Sequence, residues 1–137
     1  MRSHLIATLA LAALVPASAH AQWKEVGKTA SNNPVYVDPS SMKTKDGITT
    51  ARVQVKFVTP VDAGNGKVWR LSRHTAMFDC AKKAIAAKST TYYSDAAGTK
   101  AVETKTIAMP GFGPAIGGSM TQIALDYVCA NAGAKKK

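Results

Sequence analysis

Two cysteines, Cys80 and Cys129, constrain the fold more than any other feature of the sequence. They lie about fifty positions apart, and the chain contains no third cysteine. A disulfide between them would tie the middle of the chain to a segment near its end. In the chain-entropy model, closing a loop of this length stabilises the folded state by roughly 4 kcal/mol. Whether the bond forms depends on the cellular compartment, so the N-terminal residues come next.

The N-terminal residues have the three parts of a secretory signal peptide. Arg2 precedes a run over residues 5–15 that is apolar except for Thr8, and small residues follow before a suitable cleavage site. The run is too short for a membrane anchor, because a helix needs about 20 apolar residues to cross a bilayer. We therefore predict a signal peptide over residues 1–21, cleaved before Gln22, with a cut after Ala19 as the alternative.

Export determines what the two cysteines are expected to do. Disulfides persist in oxidising compartments, and an even pair in a small exported chain is normally bonded, so we predict a Cys80–Cys129 disulfide. A C-x-x-C redox motif is absent, and one histidine after the signal peptide leaves too few ligands for a zinc site. We predict no metal and no cofactor.

The predicted location is the periplasm, the medium or the cell surface. No later stretch is long and apolar enough to predict a transmembrane anchor. No cysteine occurs at the cleavage site, so a lipid anchor of the bacterial lipoprotein kind is not expected either.

The rest of the chain has the length of one domain, which we place over residues 22–132, followed by a flexible basic tail over 133–137. Without Arg2, 17 basic residues remain against 8 acidic ones, a net charge of +9. This charge favours anionic partners such as acidic polysaccharides, anionic lipids, nucleic acids or acidic proteins, without choosing among them. Nothing in the sequence indicates sequence-specific nucleic-acid recognition.

Alternating apolar and polar residues predict an antiparallel sheet. The pattern is clearest over residues 48–58, where an apolar set at odd positions alternates with polar residues: Ala51, Val53, Val55 and Phe57. Further strands are predicted over 22–28, 35–38, 68–80 and 100–109.

The strand predicted over 68–80 has a phase problem. Trp69 and Leu71 have odd positions, whereas Ala76 and Phe78 have even ones. If all of them face one core, the strand must bulge between residues 72 and 75.

Four segments have other predicted conformations. Residues 39–42 are predicted to form a single helical turn and 110–118 a connecting loop. Residues 81–95 are ambiguous, because alanine and lysine favour a helix whereas the Ser-Thr-Thr-Tyr-Tyr run favours a strand. Ser119 and Gln122 match a capping box, which predicts a helix from there to about Ala132.

The predicted C-terminal helix has a broad apolar stripe that needs a groove rather than a flat surface. A curved sheet with Cys80 on its concave side would offer such a groove.

Catalytic chemistry has little support. His74 is the single histidine after the signal peptide, and Ser72 and Asp79 lie near it in the sequence. We interpret His74 as a polar residue on a half-exposed strand, because no paired carboxylates, nucleophile elbow or metal-ligand cluster accompanies it. We therefore predict that the protein is not an enzyme.

Basic residues on both sides of Cys80 form a candidate patch for contact with polyanions or host proteins: Arg70, Arg73, Lys82, Lys83 and Lys88. The alternative is the ordinary solvated surface of a basic protein.

Several short landmarks occur in order along the chain: Trp23, Val35-Tyr36-Val37-Asp38 before Ser40-Ser41, Phe78-Asp79-Cys80, Tyr92-Tyr93-Ser94 before Gly98, and Tyr127-Val128-Cys129. With these landmarks and the paired cysteines, the whole chain after the signal peptide resembles the surface-adhesin protein E-like family of bacterial exported domains. The resemblance implies an α+β fold, in which a curved antiparallel sheet of about six strands carries a C-terminal helix on its concave face. It also implies that residues 81–95 form a strand.

The resemblance implies an exported binding module, adhesin-like, that engages extracellular-matrix or other proteins, and the positive charge adds acidic polymers as candidate partners. Two alternatives remain open: a soluble periplasmic envelope-associated protein or inhibitor of an envelope enzyme, and an enzyme that depends on His74. The sequence does not indicate an oligomeric state.

Overall fold

The structure, a computed structural model, describes residues 21–132. The predicted tail over 133–137 and all of the predicted signal peptide except Ala21 lie outside the described residues. Residues 21–132 form one α-helix and seven β-strands: β1 (Lys24–Lys28), β2 (Pro34–Lys45), β3 (Ile48–Asp62), β4 (Val68–Asp79), β5 (Ala84–Tyr93), β6 (Ala101–Thr106), β7 (Gly113–Pro114) and α1 (Met120–Asn131).

The strands form one open antiparallel sheet in which neighbours in sequence are neighbours in space. The order is β1-β2-β3-β4-β5-β6, and the two-residue β7 pairs with the start of β5. Short connections suit such a meander, because antiparallel neighbours need only a turn between them. The predicted sheet of about six strands is confirmed, and the segment 81–95, for which the resemblance implied a strand, contains β5.

The alternation in β3 divides the sheet into two faces. Ala51, Val53 and Val55 are buried beneath α1, and we call this side the helix face. Arg52 and Gln54 point to the other side, which we call the open face.

The core lies between α1 and the helix face. Val35, Val53 and Phe78 are fully buried there, as are Ala124 and Val128 of the helix. Burying a valine or phenylalanine side chain contributes about 1.5–3 kcal/mol to stability. Because most of this apolar surface meets across the sheet–helix interface, neither element is expected to be stable alone.

The disulfide fastens the helix to the sheet. Cys80 directly follows β4, Cys129 lies in the last turn of α1, and their Cα atoms are 5.4 Å apart. The predicted Cys80–Cys129 bond is confirmed, and both cysteines pack against the core.

The helical turn predicted over residues 39–42 is wrong, because β2 continues through it. The strand pairing with β3 shifts between Asp38 and Lys43, which leaves extra residues on β2. The Asp38 carboxylate accepts hydrogen bonds from the backbone N–H and the hydroxyl of Ser40, at 3.0 and 2.5 Å. These bonds stabilise a bulge, where proline is tolerated in a strand.

The bulge predicted in β4 is also wrong. Residues 71–79 of β4 pair with β3 without a shift, and the irregularity opposite Thr75 places the extra residue, Lys88, on β5. Leu71 is only 1% exposed, but its position places it on the open face. The prediction failed because it assumed that every apolar residue of β4 faces a single core.

The helix begins where the capping box predicted but without that motif's hydrogen bonds. The Ser119 hydroxyl donates to the Ile116 carbonyl, and the Gln122 amide donates to Asp126 instead of reaching back to residue 119. The loop predicted over 110–118 is confirmed, apart from the short pairing of β7 with β5.

Candidate functional site

Cations and aromatic rings interleave on the open face. The guanidinium carbons of Arg52 and Arg73 lie 5.2 and 5.5 Å from the Trp23 ring centre, and that of Arg73 lies 4.9 Å from the Tyr93 ring. We call Trp23, Arg52, Arg73 and Tyr93 the cation–aromatic cluster. Each such contact contributes about 0.5–1 kcal/mol at an exposed site. The cluster joins the residue before β1 to β3, β4 and β5.

Arg73 is the fixed member of this cluster. Its Nε donates to Oε1 of the nearly buried Gln54 at 2.9 Å, and its Nη1 donates to the Gly98 carbonyl at 3.3 Å. Gly98 has a φ of 72°, a conformation that favours glycine. Arg73 therefore holds the β5–β6 loop against the open face.

The same loop has its own anchor in Asp95. The Thr99 side chain and the backbone N–H groups of Lys100 and Thr99 donate to its carboxylate, and they lower the pKa of Asp95 to about 2. Asp95 is thus ionised at neutral pH and fixes the turn that meets Arg73.

The bulge in β2 opens a hollow of about 400 Å³ beside Arg52. We call it the bulge pocket, and it is lined by Ala21, Asp38, Ser40, Ser41, Lys43, Thr50, Ala51, Arg52 and Thr75. The strand register explains the grouping, since Lys43 pairs with Thr50 and Arg52 pairs with Thr75. Directly opposite residues have Cβ atoms about 5 Å apart, so two cations and two hydroxyls share a small area.

One acidic residue forms the back of the bulge pocket. Asp38 is 2% exposed, and besides the Ser40 bonds its carboxylate lies 3.9 Å from Nη1 of Arg52. The Arg52 side chain remains 44% exposed. Arg52 therefore offsets the buried carboxylate while its own side chain stays partly exposed.

A second hollow of about 370 Å³ lies on the helix face, near the start of α1. It contains His74, whose Nε2 lies 2.8 Å from the Ser72 hydroxyl and whose Nδ1 lies 2.9 Å from the Thr90 hydroxyl. Burial lowers the pKa of His74 to about 4, so its ring is neutral at pH 7. A neutral ring with both nitrogens bonded matches the structural interpretation of this residue.

The structure does not assemble the Ser72, His74 and Asp79 arrangement. Asp79 is an odd number of residues from His74 along β4 and so lies on the opposite face. Its carboxylate accepts a hydrogen bond from the backbone of Lys82. The partner of Nδ1 is thus the Thr90 hydroxyl and not the Asp79 carboxylate that would orient a catalytic base.

The five predicted basic residues do not lie together. Arg70 is near the start of β4, whereas Lys82 and Lys83 lie in the turn after its end, about 30 Å away at 3.3 Å per residue. Arg73 belongs to the cation–aromatic cluster, and Lys88 is the extra residue on β5. Their role in binding stays a prediction.

Sequence reasoning did not predict that Arg52 would lie beside Lys43 in the bulge pocket and beside Trp23 in the cation–aromatic cluster. The polar alternation of β3 already placed Arg52 on the exposed side, but Lys43 joins it only through the register shift in β2. That shift depends on the Asp38–Ser40 hydrogen bonds, for which Asp38-Pro39-Ser40 was the available signal.

Between residues 21 and 132, no helix is long and apolar enough to cross a membrane. Nor does this part of the chain bring three or more His, Cys, Asp or Glu residues together in a way that could hold a metal ion.

Comparison with known proteins identifies the family. The family model described as surface-adhesin protein E matches residues 23–130. The chain belongs to this family. The match starts at Trp23 of the cation–aromatic cluster and extends past Cys129, so the surface-adhesin protein E region includes the sheet, the disulfide and nearly all of the helix.

Solved structures of Haemophilus influenzae protein E have the same fold. One has a TM-score of 0.57 at 15% identity, over 87% of this chain and 92% of the other. Crystal form II gives 0.56 at 16% identity, over 77% and 87%. The protein from non-typeable H. influenzae gives 0.57 at 16% identity, over 88% and 83%. At such identities the likeness establishes the fold alone, and no curated protein matches the sequence.

Proposed function

We propose that the protein is an exported, non-enzymatic binding module, adhesin-like, that engages host matrix proteins or polyanions. Membership of the surface-adhesin protein E family is the observation that carries this proposal. The disulfide supports export, because such bonds persist in oxidising compartments.

The two faces of the sheet suggest how such a module would bind. The helix face is occupied by α1 and the core. The open face carries Arg52 and Lys56 with aromatic partners, and the Lys56 ammonium lies 5.1 Å from the Tyr36 ring centre. Arginine and aromatic residues are enriched at protein interfaces, which makes the open face the binding surface that we propose.

Binding to immobilised matrix proteins and to an immobilised sulfated polysaccharide tests this function. We expect saturable binding that persists in about 0.3 M salt, since contacts at a built site are screened less than bulk charge. If about 0.3 M salt abolishes all binding, the interaction is bulk attraction to a basic protein. A stoichiometric partner recovered from the periplasm, with no matrix binding, would favour the envelope-associated alternative instead.

A further inference from the structure

The bulge pocket is built by strand register rather than by flexible loops. Two directly opposed pairs, Lys43 with Thr50 and Arg52 with Thr75, lie next to one another on β2, β3 and β4. Residues 50 and 52 are two apart on β3, so their side chains share a face about 7 Å apart. The backbone positions of the four residues are thus set by the sheet before any ligand arrives.

These groups have unused hydrogen-bonding capacity. Within residues 21–132, the side chains of Lys43, Thr50 and Thr75 and the guanidinium of Arg52 make no hydrogen bond with another part of the protein. A guanidinium has five N–H donors and recognises oxyanions through two parallel bonds. The pocket therefore offers donors for an oxyanion and hydroxyl groups for neutral oxygen atoms.

The charge of the pocket also favours an anion. Lys43 and Arg52 contribute two positive charges, and Asp38 contributes one negative charge, which leaves a net charge of +1. The Asp38 carboxylate is buried and already bonded to Ser40. Arg52, 3.9 Å from that carboxylate, offsets its charge, so Lys43 supplies the uncompensated positive charge of the hollow.

The cations continue beyond the pocket along β3. Lys56 is four residues from Arg52 on the same face, about 13 Å away at 3.3 Å per residue. Glu25 of β1, which pairs with Tyr36 of β2, bounds this row on one side. A row of cations at this spacing suits an extended polymer with repeated negative groups better than one small ion.

The lining favours a sugar over a protein segment. The predicted cleavage before Gln22 removes Ala21, and the Ala51 methyl is buried on the helix face, so the remaining lining side chains carry hydroxyl or charged groups. Energetically dominant protein contacts usually fill apolar or aromatic pockets, which this one is not. Its volume is within the range of small-ligand sites and is suited to a hydrophilic ring with an acidic substituent.

We propose that the bulge pocket binds a sulfated sugar of an acidic polysaccharide, an inference that rests on the proposed binding function. Arg52 and Lys43 bind the sulfate, Thr50 and Thr75 bind sugar oxygens, and Lys56 binds the next acidic group along the polymer. Trp23 lies against Arg52, so its fluorescence should change when a ligand occupies the pocket.

Tryptophan fluorescence gives a direct test, because the chain contains two tryptophans, Trp23 and Trp69. In a Trp69→Phe variant, titration with a heparin-derived octasaccharide should change the emission of Trp23 and saturate. Lys43→Gln should weaken binding about tenfold, the effect of losing one charge-assisted contact. Thr50→Val with Thr75→Val should weaken it without any change in charge.

A matched control separates the pocket from net charge. Lys28→Gln with Lys67→Gln removes two exposed charges outside both the pocket and the predicted basic patch, so it should leave the affinity within about twofold. If this control weakens binding as much as Lys43→Gln does, bulk charge carries the interaction and the inference is overturned. Thermal denaturation of each variant shows whether a loss of binding is a loss of folding.

Two competing ligands test the assignment to a sulfated sugar. The chemically desulfated octasaccharide should compete at least tenfold less well, and a polyglutamate of equal charge should do the same. Equal competition by polyglutamate would mean a general surface for acidic polymers or proteins and would overturn the sugar assignment. If the protein binds matrix proteins but the pocket variants are unaffected, this inference alone fails. If nothing binds, the proposed function fails with it.

Discussion

Gly27 of β1 lies so close to Ile123 of α1 that a methyl group at residue 27 would be 2.8 Å from Cγ2 of Ile123. Real Cβ contacts are essentially never this short. Gly27 follows the bulge of β1 and pairs with Val35 at the edge of the core. The absence of a side chain at residue 27 therefore sets how closely the helix approaches the sheet.

Gly27→Ala should lower the free energy of unfolding by about 1–3 kcal/mol, because the added methyl overpacks the interface. Ile123→Ala removes the opposing group and should cost about 1–2 kcal/mol by itself, since Ile123 is only partly buried. The double variant should lose at least about 1 kcal/mol less stability than the sum of the losses in the two single variants. Urea denaturation of the four proteins gives the coupling, and simple additivity would contradict the close contact.

The disulfide should contribute substantially to stability because it closes a loop between residues 49 positions apart. Cys80→Ala with Cys129→Ala should lower the free energy of unfolding by about 2–4 kcal/mol. Denaturation of the unmodified protein with and without reductant is the matched measurement. The double variant should be insensitive to reductant. Equal stability of reduced and oxidised protein would show that packing alone holds α1 on the sheet.

His74 should make stability depend on pH. Burial holds its folded pKa at about 4, below the ordinary histidine value of 6.5, so the unfolded chain binds more protons between these two pH values. Stability from this group is therefore fully present above pH 6.5 and declines as the pH falls toward 4. Between pH 7 and pH 5 the loss should be about 1–2 kcal/mol, discounted because His74 is partly exposed.

His74→Gln can still bond to Ser72 and Thr90 but does not titrate, so it serves as the control for this dependence. Urea denaturation at pH 5, 6 and 7 should show a flatter profile for the variant than for the unmodified protein. Parallel profiles would assign the pH dependence to other groups.

Local patterns were sufficient to predict much of the sheet. The alternation of Ala51, Val53 and Val55 determines which side of β3 meets the helix, and a single pair of cysteines has one possible bond. The helix start at Met120 followed from the polar residues before it, although their hydrogen bonds differ from those predicted. In these places the deciding interactions lie within one strand, one turn or one pair of residues.

The candidate site could not be predicted from such local patterns, because its residues come together only through the pairing of the strands. Leu71 is buried on the open face, whereas Ala76 and Phe78 are buried on the helix face. The apolar residues of β4 at odd and even positions therefore belong to two different faces, and no bulge is needed. Lys43 meets Arg52 only because Asp38 and Ser40 stabilise extra residues in β2. Register depends on contacts between distant parts of the chain, which a single sequence does not reveal.

Arg73 and Arg70 lie on the same strand, but only Arg73 is expected to stabilise the protein through hydrogen bonds that a lysine cannot replace. Arg73→Lys keeps the charge but loses the fixed bonds to Gln54 and Gly98, and Gln54 is only 3% exposed. An acceptor left without its partner at such a site costs about 1–3 kcal/mol, so the variant should unfold at lower urea concentration. Arg70→Lys, on an exposed position of the same strand, should change stability by less than about 0.5 kcal/mol. Equal stability of the two variants would mean that Arg73 serves only as a charge. A loss confined to Arg73→Lys would mean that the cation–aromatic cluster holds the β5–β6 loop, because its geometry and not its charge has changed.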